Sequence, residues 1–168
     1  YFASNMPGGL GDTDIWKVAI NADGSYGTPE NLGAKVNTAG KENFPFITDE
    51  NILYFSSLSR QGLGGFDVFS ADLNKGTEAV NVGRPVNSEK DDFSFSYNAV
   101  KEIGYFSSNR SGVDNIYTAN PVCKAEALAV VTDKKTGKLL TDVKISILDK
   151  KQNSIASKQS DAKGEVSY

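Results

Sequence analysis

Tyr54-Phe55-Ser56-Ser57-Leu58-Ser59-Arg60, then the glycine loop Gln61-Gly62-Leu63-Gly64-Gly65, then Phe66-Asp67-Val68-Phe69, is a phrase that the chain writes three times. The other copies run from Tyr1-Phe2-Ala3-Ser4-Asn5 to Asp14-Ile15-Trp16 and from Tyr105-Phe106-Ser107-Ser108-Asn109 to Asn115-Ile116-Tyr117, the last preceded by Asp114. They begin 53 and then 51 residues apart. A period of about 50 residues marks one supersecondary unit used repeatedly, each copy burying its apolar face against its neighbours.

Working outward, each period divides into four short strands. The first alternates Phe44-Pro45-Phe46-Ile47-Thr48 and, in the next copy, Phe93-Ser94-Phe95-Ser96-Tyr97. Turns at 49–51 and 98–102 lead to second strands at 52–57 and 103–108. Third strands are expected at 14–20, 66–73 and 115–119. The fourth carries Asn31-Leu32-Gly33 with Val36-Asn37-Thr38, echoed by Asn81-Val82-Gly83 with Val86-Asn87-Ser88. Asn21-Ala22-Asp23-Gly24 and Asn74-Lys75-Gly76 read as hairpin turns that need positive φ. Glycine and Asn/Asp recur too often for a helix of three turns. Loop lengths vary between copies while strand content is held, as loops tolerate.

Composition narrows the function. The 168 residues carry 39% hydrophobic and 23% charged side chains, as in an ordinary folded domain. A net charge of −3 gives no basic stripe for nucleic acid. No apolar run approaches the ~20 residues of a membrane-spanning helix. The chain opens in mid-strand and shows no signal peptide, so both ends are expected to be cut from a longer polypeptide. There is no histidine, which removes the commonest general base and metal ligand and excludes the usual serine and cysteine triads from this segment. Cys123 is the single cysteine: an inert thiol is favoured, with pairing to a cysteine elsewhere as the alternative.

The phrase Phe-Ser-Ser-x-Arg, glycine loop, Asp-Ile-Tyr resembles the PD40 repeat, the WD40-like blade of TolB-type propellers. Residues 105–117 are the nearest copy and 54–69 follow; the first copy has Asn5-Met6-Pro7 in place of the arginine. The resemblance implies an all-β fold. About two and a half four-stranded blades of a partial β-propeller would occupy 1–121, with the remaining blades N-terminal to Tyr1.

After Asn120-Pro121 the repeat stops. Ala127 to Val131 reads as a strand, 132–138 as a turn, and Asp142-Val143-Lys144-Ile145-Ser146-Ile147-Leu148-Asp149 alternates as a half-buried antiparallel strand does. A last turn and strand start lie in 161–168. The words Val131-x-Asp133-x-x-Thr136-Gly137-Lys138 and Ser160-Asp161-x-x-Gly164 resemble the carboxypeptidase regulatory-like domain, which implies an incomplete transthyretin-like β-sandwich over 122–168. Blades followed by this sandwich resemble the periplasmic OmpA-family proteins of Bacteroidota, including the PorE type linked to type IX secretion. There, a separate OmpA-like domain supplies the peptidoglycan contact.

Several residues invite chemistry. Gly8-Gly9-Leu10-Gly11 and Gly62-Leu63-Gly64-Gly65 precede strands where a phosphate loop should open a helix, so loop flexibility is the expected role. Asp12 and Asp14 lack the oxygen-ligand spacing of an EF-hand calcium site. Asp14, Asp67 and Asp114 recur at equivalent places and are expected to accept hydrogen bonds from loop N–H groups or from the Ser-Ser segment. Ser56-Ser57 and Ser107-Ser108 have no elbow motif or base to make them nucleophiles, so Ser57 and Ser108 are read as structural. Arg60, Asn109 and Arg110 sit in equivalent loops; the arginines either pair with the neighbouring blade's aspartate or, with Asn109, present a partner-binding face. Asn109-Arg110-Ser111 matches a glycosylation sequon without meaning in a bacterial protein, and the lysines from Lys134 to Lys158 read as a solvated face.

The expectation is a non-catalytic periplasmic scaffold without cofactor or metal, associated with the outer membrane. By resemblance its partners would be outer-membrane or secretion-complex proteins such as a SprF/PorP-like barrel, with peptidoglycan reached through another domain. The alternative is the propeller of a prolyl-oligopeptidase-like hydrolase. It is disfavoured because 127–168 continue as alternating strands and not as an α/β domain. A carbohydrate-binding propeller would need aromatics on its loops, and the aromatics are expected within strands.

Overall fold

The computed structural model describes residues 1–120, 127–148 and 152–168. The chain divides into two compact units, Tyr1–Pro121 and Val122–Tyr168, and every regular element in the described residues is a β-strand. The first unit holds three consecutive antiparallel meanders. Sheet 1 is β1 (Phe2–Ser4), β2 (Asp14–Lys17) and β3 (Glu30–Asn31). Sheet 2 is β4 (Glu42–Ile47), β5 (Ile52–Ser57), β6 (Asp67–Asp72) and β7 (Val80–Asn81). Sheet 3 is β8 (Asp92–Asn98), β9 (Ile103–Ser108) and β10 (Asn115–Ala119). The sheets close into no barrel or ring among the described residues.

Register explains the thrice-written phrase. Phe2 lies opposite Trp16, Phe55 opposite Phe69 and Phe106 opposite Tyr117, so each phrase pairs its own two aromatics across one hairpin. The Phe55–Phe69 and Phe106–Tyr117 rings stack with centroids 6.0 and 5.6 Å apart. At the loop end, Ser4 faces Asp14, Ser57 faces Asp67 and Ser108 faces Asn115. The register therefore puts Asn115, not Asp114, in the place of the two earlier aspartates, because the shorter third loop delivers the strand one residue later.

The first strands depart from simple alternation. Both β4 and β8 shift register against their neighbours, between Asn43 and Phe46 and between Phe93 and Ser96. Phe44 and Ser94, at the same place in each bulge, have φ of 56° and 55°. An extra residue in one strand bends and twists it, and here it turns Phe44 out to 42% exposure.

The fourth strands are only two residues long, and 36–38 and 86–88 lie outside them, in a turn whose asparagines replace a strand. Asn37 Oδ1 accepts from Ile15 N–H at 2.8 Å, and its Nδ2 donates to the Ile15 carbonyl at 3.0 Å. Asn87 makes the same pair with Val68, both at 2.8 Å. Each also donates to the preceding asparagine, Asn31 or Asn81, whose Oδ1 accepts from Gly33 or Gly83 N–H. Those two glycines take φ of 73° and 72°, which turns the chain back at little steric cost. A side-chain amide here satisfies backbone groups that would otherwise be buried and unpaired.

The core is a series of seams. Ile15, Val36, Leu53, Phe55, Phe69 and Ala71 form one buried cluster, supplied by sheets 1 and 2. Val68, Phe95 and Phe106 form the next, with Tyr54, Val82 and Tyr97 packed against them. Gly104 stands in β9 where β5 has Leu53, because a Cβ there would meet the Phe95 ring at 2.8 Å.

The second unit contains β11 (Leu128–Val130) paired with β14 (Glu165–Ser167), and β12 (Lys144–Leu148) paired with β13 (Ser154–Gln159). Asp133 and Asp161 each fold a turn by accepting from N–H groups downstream: Lys135 and Thr136 for the first, Lys163 and Glu165 for the second. Those bonds hold both carboxyls below the ordinary aspartate range. Ser160, buried, ties Val143 N–H to the Leu140 carbonyl. Cys123, and Asp149 at the end of the expected strand, lie outside the described residues.

Candidate functional site

The loop end of the first unit gathers the aspartates, serines and arginines that invited chemistry, and most of them are consumed there. Asp14 and Asp67 are fully or almost fully buried. Asp14 Oδ2 accepts from Leu10 N–H at 2.5 Å and Asn31 Nδ2 at 2.7 Å; Asp67 Oδ2 accepts from Leu63 and Gly64 N–H. Each glycine loop thus wraps a carboxylate. A Cβ on Gly62 would stand 1.7 Å from Asp67 Oδ2, and a Cβ on Gly9 2.7 Å from Asp14 Oδ2. On the far side of the loop, a Cβ on Gly11 or Gly64 would stand 2.4 Å from the Thr38 carbonyl or 2.3 Å from that of Lys90. Close approach, not flexibility, is what these glycines provide.

A second set of carboxylates anchors the first strands. Glu42 accepts from Thr38 N–H and hydroxyl at 2.8 Å each and from the Ser57 hydroxyl at 2.7 Å. Asp92, one methylene shorter, accepts from Ser88 N–H and hydroxyl and from Arg110. Ser108 then takes the Arg110 Nε–H at 3.0 Å in place of a carboxylate. Glu42, Ser57, Asp92 and Ser108 are all 0% exposed. The lost methylene is filled by a guanidinium.

Both arginines reach back to the turn that ends the previous fourth strand. Arg60 donates to the carbonyls of Ala34, Lys35 and Val36, and Arg110 to those of Pro85 and Val86. Arg110 also lies over Phe106 and Tyr117, 4.9 and 5.0 Å from their centroids. The expected pairing with a neighbouring sheet's aspartate is corrected. Arg110 pairs within its own sheet, and Arg60 has carbonyl partners because Glu42 already reaches Ser57. Asn109 exchanges bonds with Asp91, donating to Oδ2 at 2.9 Å and accepting its N–H at 3.0 Å, while Asp91 Oδ1 takes Phe66 N–H.

What stays available is aromatic. Phe44, Phe66 and Phe93 line a cleft of about 250 Å³ with Asp91, Asn109 and Asp114. The Phe44 ring lies 5.2 Å from Phe93 and 6.2 Å, edge-on, from Phe66. Phe66 sits in the loop before β6 and Phe44 is turned outward, so the aromatics are not confined to strand interiors. Sequence reasoning passed over this trio because the bulge that exposes Phe44 is invisible to a period-two pattern. One signal was present: the equivalent residues elsewhere are Thr13, Asn43 and Ser94. Nothing in the fold demands phenylalanine at these places.

Asp12 is exposed, and among the described residues no group of three or more His, Cys, Asp or Glu side chains is placed to hold a metal ion. No described helix is long and apolar enough to cross a membrane. The chain matches no family model, no curated protein and no solved structure.

Proposed function

We propose that the first unit is a stretch of PD40-type β-propeller, the second part of a carboxypeptidase regulatory-like sandwich, and the whole a non-catalytic periplasmic scaffold. It would bind outer-membrane or secretion-complex proteins and help tether them to the cell wall through other domains. The observation that carries the reading is the division of labour at the loop end. Ser57, Ser108, Glu42, Asp92, Arg60 and Arg110 are bonded to backbone or to one another, and Asp14 and Asp67 each spend one oxygen on their glycine loop. Three phenylalanines occupy places where other copies of the repeat have small or polar residues. A partly exposed aromatic cluster rimmed by Asp114 and Asn109 has the make-up of a protein-binding patch.

Co-precipitation from envelope extract with the full-length protein tests this. Phe44→Ser, Phe66→Thr and Phe93→Asn import residues that the fold already accepts at the matching positions, so folding should be retained. Capture of membrane or secretion proteins by the parent and its loss in the triple variant is the expected result. Equal capture by both would move the binding face elsewhere, and hydrolase activity in the full-length protein would overturn the scaffold reading.

A further inference from the structure

The joint between sheets 2 and 3 differs in chemistry from the joint between sheets 1 and 2, although their backbones match. Glu42 N–H donates to the Thr13 carbonyl in one, and Asp92 N–H to the Phe66 carbonyl in the other. That shared link aligns Thr13 with Phe66, Lys41 with Asp91 and Asn43 with Phe93. The second joint therefore has two more rings than the first, and a carboxylate where the first has a cation. Phe44 adds a third ring, and Asn109 and Asp114 complete the lining of the cleft. Asp114 is not spent on the fold. In sheets 1 and 2 the aspartate after the glycine loop is buried and holds that loop. In sheet 3 Asn115 has that place and donates to the Ser111 hydroxyl and the Val113 carbonyl. Asp114 is exposed and enters no ion pair or hydrogen bond among the described residues. Asp91 gives Oδ1 to Phe66 N–H and Oδ2 to Asn109, both at 2.9 Å, which leaves acceptor capacity on each oxygen. No lysine or arginine lines the cleft. It lies at the Asn115 end of β10, opposite the end at Ala119.

Resting on the reading of this cluster as a protein-binding patch, we propose that its occupant is an arginine side chain presented by the outer-membrane or secretion-complex partner. Phenylalanine offers no hydrogen bond, so the rings contribute apolar contact and the negative potential of their faces. Two carboxylates with spare acceptor sites and no cation beside them call for a positively charged donor. Arginine meets both demands at once. Its stem covers apolar surface, its planar guanidinium stacks on a ring, and its five N–H groups are enough to serve both carboxylates. Lysine, a compact and strongly hydrated point charge, stacks less well. The first unit already contains the complete arrangement: Arg110 lies over Phe106 and Tyr117, 4.9 and 5.0 Å from their centroids, and pairs with Asp92. The cleft presents the rings and the carboxylates of that arrangement without the arginine.

NMR titration of the 168-residue chain with Nα-acetyl-arginine amide should give saturable shifts at Phe44, Phe93 and Asp114. Nα-acetyl-citrulline amide, nearly the same shape without the charge, should bind roughly tenfold more weakly, and Nα-acetyl-lysine amide should fall between them. Asp114→Asn removes a carboxylate that has no partner in the fold, so it should keep the rest of the spectrum and weaken arginine binding severalfold. In co-precipitation from envelope extract with the full-length protein, the same substitution should cut capture of membrane or secretion proteins. No saturable shift with the arginine compound, or equal binding of the citrulline compound, would overturn the proposal. So would capture that survives Asp114→Asn yet is lost when the three phenylalanines are replaced, a result that keeps the protein-binding patch and removes its cationic occupant. Capture untouched by either change removes the patch itself. Dimerisation of the parent chain that Asp114→Asn abolishes would seat a second copy in the cleft and overturn the assignment to an envelope partner.

Discussion

At the scale of single residues, the economy of the repeat rests on atoms that cannot be moved. Gly64 has the Lys90 carbonyl 2.3 Å from where a Cβ would go and Glu89 carbonyl carbon at 2.7 Å, both backbone. Gly64→Ala should therefore destabilise the first unit by about 2–3 kcal/mol in urea unfolding, the range of core overpacking. Gly27→Ala, whose nearest neighbour is Ala19 at 3.5 Å, should shift it by no more than about 0.5 kcal/mol. Asn87 is the other critical residue. Asn87→Leu leaves the buried Val68 N–H without a partner, while the Val68 carbonyl keeps Val82 N–H, and should cost about 1–3 kcal/mol, seen as a lowered urea midpoint. The glycine spacing was legible in the sequence; its reason was not, because the obstructing backbone lies in the following turn, more than twenty residues away. Asn87 was visible only as an echo of Asn37, since no local pattern says that a side chain will stand in for a strand.

At the scale of elements, aromatic register made the second and third strands easy to place. Phe55 opposite Phe69 and Phe106 opposite Tyr117 follow from the phrases themselves. The first strands were harder. Phe44-x-Phe46 and Phe93-x-Phe95 look like uninterrupted alternation, but the bulge inserts a left-handed residue that only the pairing with β5 or β9 reveals. Ser94→Gly should relieve that conformation and stabilise the unit by up to about 1 kcal/mol, whereas Ser96→Gly, in the regular part of β8, should destabilise it by about as much. Thermal melts of the two variants would separate them in opposite directions. β13 escaped notice because Ser154-Ile155-Ala156-Ser157-Lys158-Gln159 offers one large apolar residue, and its place is set by pairing with β12. The third aspartate was misassigned for a similar reason: one residue of loop length decides whether Asp114 or Asn115 faces Ser108.

At the scale of the whole molecule, acid acts on both units in the same direction. Asp133 and Asp161 in the second unit, and Asp23 and Asp72 in the first, are all held below the usual aspartate value by turn hydrogen bonds. A depressed folded-state value means that the stabilisation is present at pH above about 4, the unfolded value, and is lost as pH falls through the lower folded one. Unfolding of the second unit should thus become easier below about pH 4, and Asp161→Asn, which keeps an acceptor oxygen, should flatten that acid limb. Lys17 and Tyr54 shift the other way. The Lys17 ammonium is favoured by its hydrogen bond to Glu30, and burial favours the neutral Tyr54 phenol, so both contributions persist through neutral pH and fade only in strong alkali.

The clasp of each glycine loop on the turn that follows it has a genetic corollary. Gly11 meets Thr38–Gly40 and Gly64 meets Glu89–Lys90, so each sheet is fastened by the same joint to the next one along. Excising residues 41–90 would splice Gly40 to Asp91 with every joint intact: Thr13 would face Asp91 as Phe66 now does, and Arg110 would reach the carbonyls that Arg60 now holds. Such a shortened chain should still fold and unfold cooperatively by circular dichroism. Unequal recombination within one gene could then lengthen or shorten this array in whole-repeat steps without passing through an unfolded ancestor.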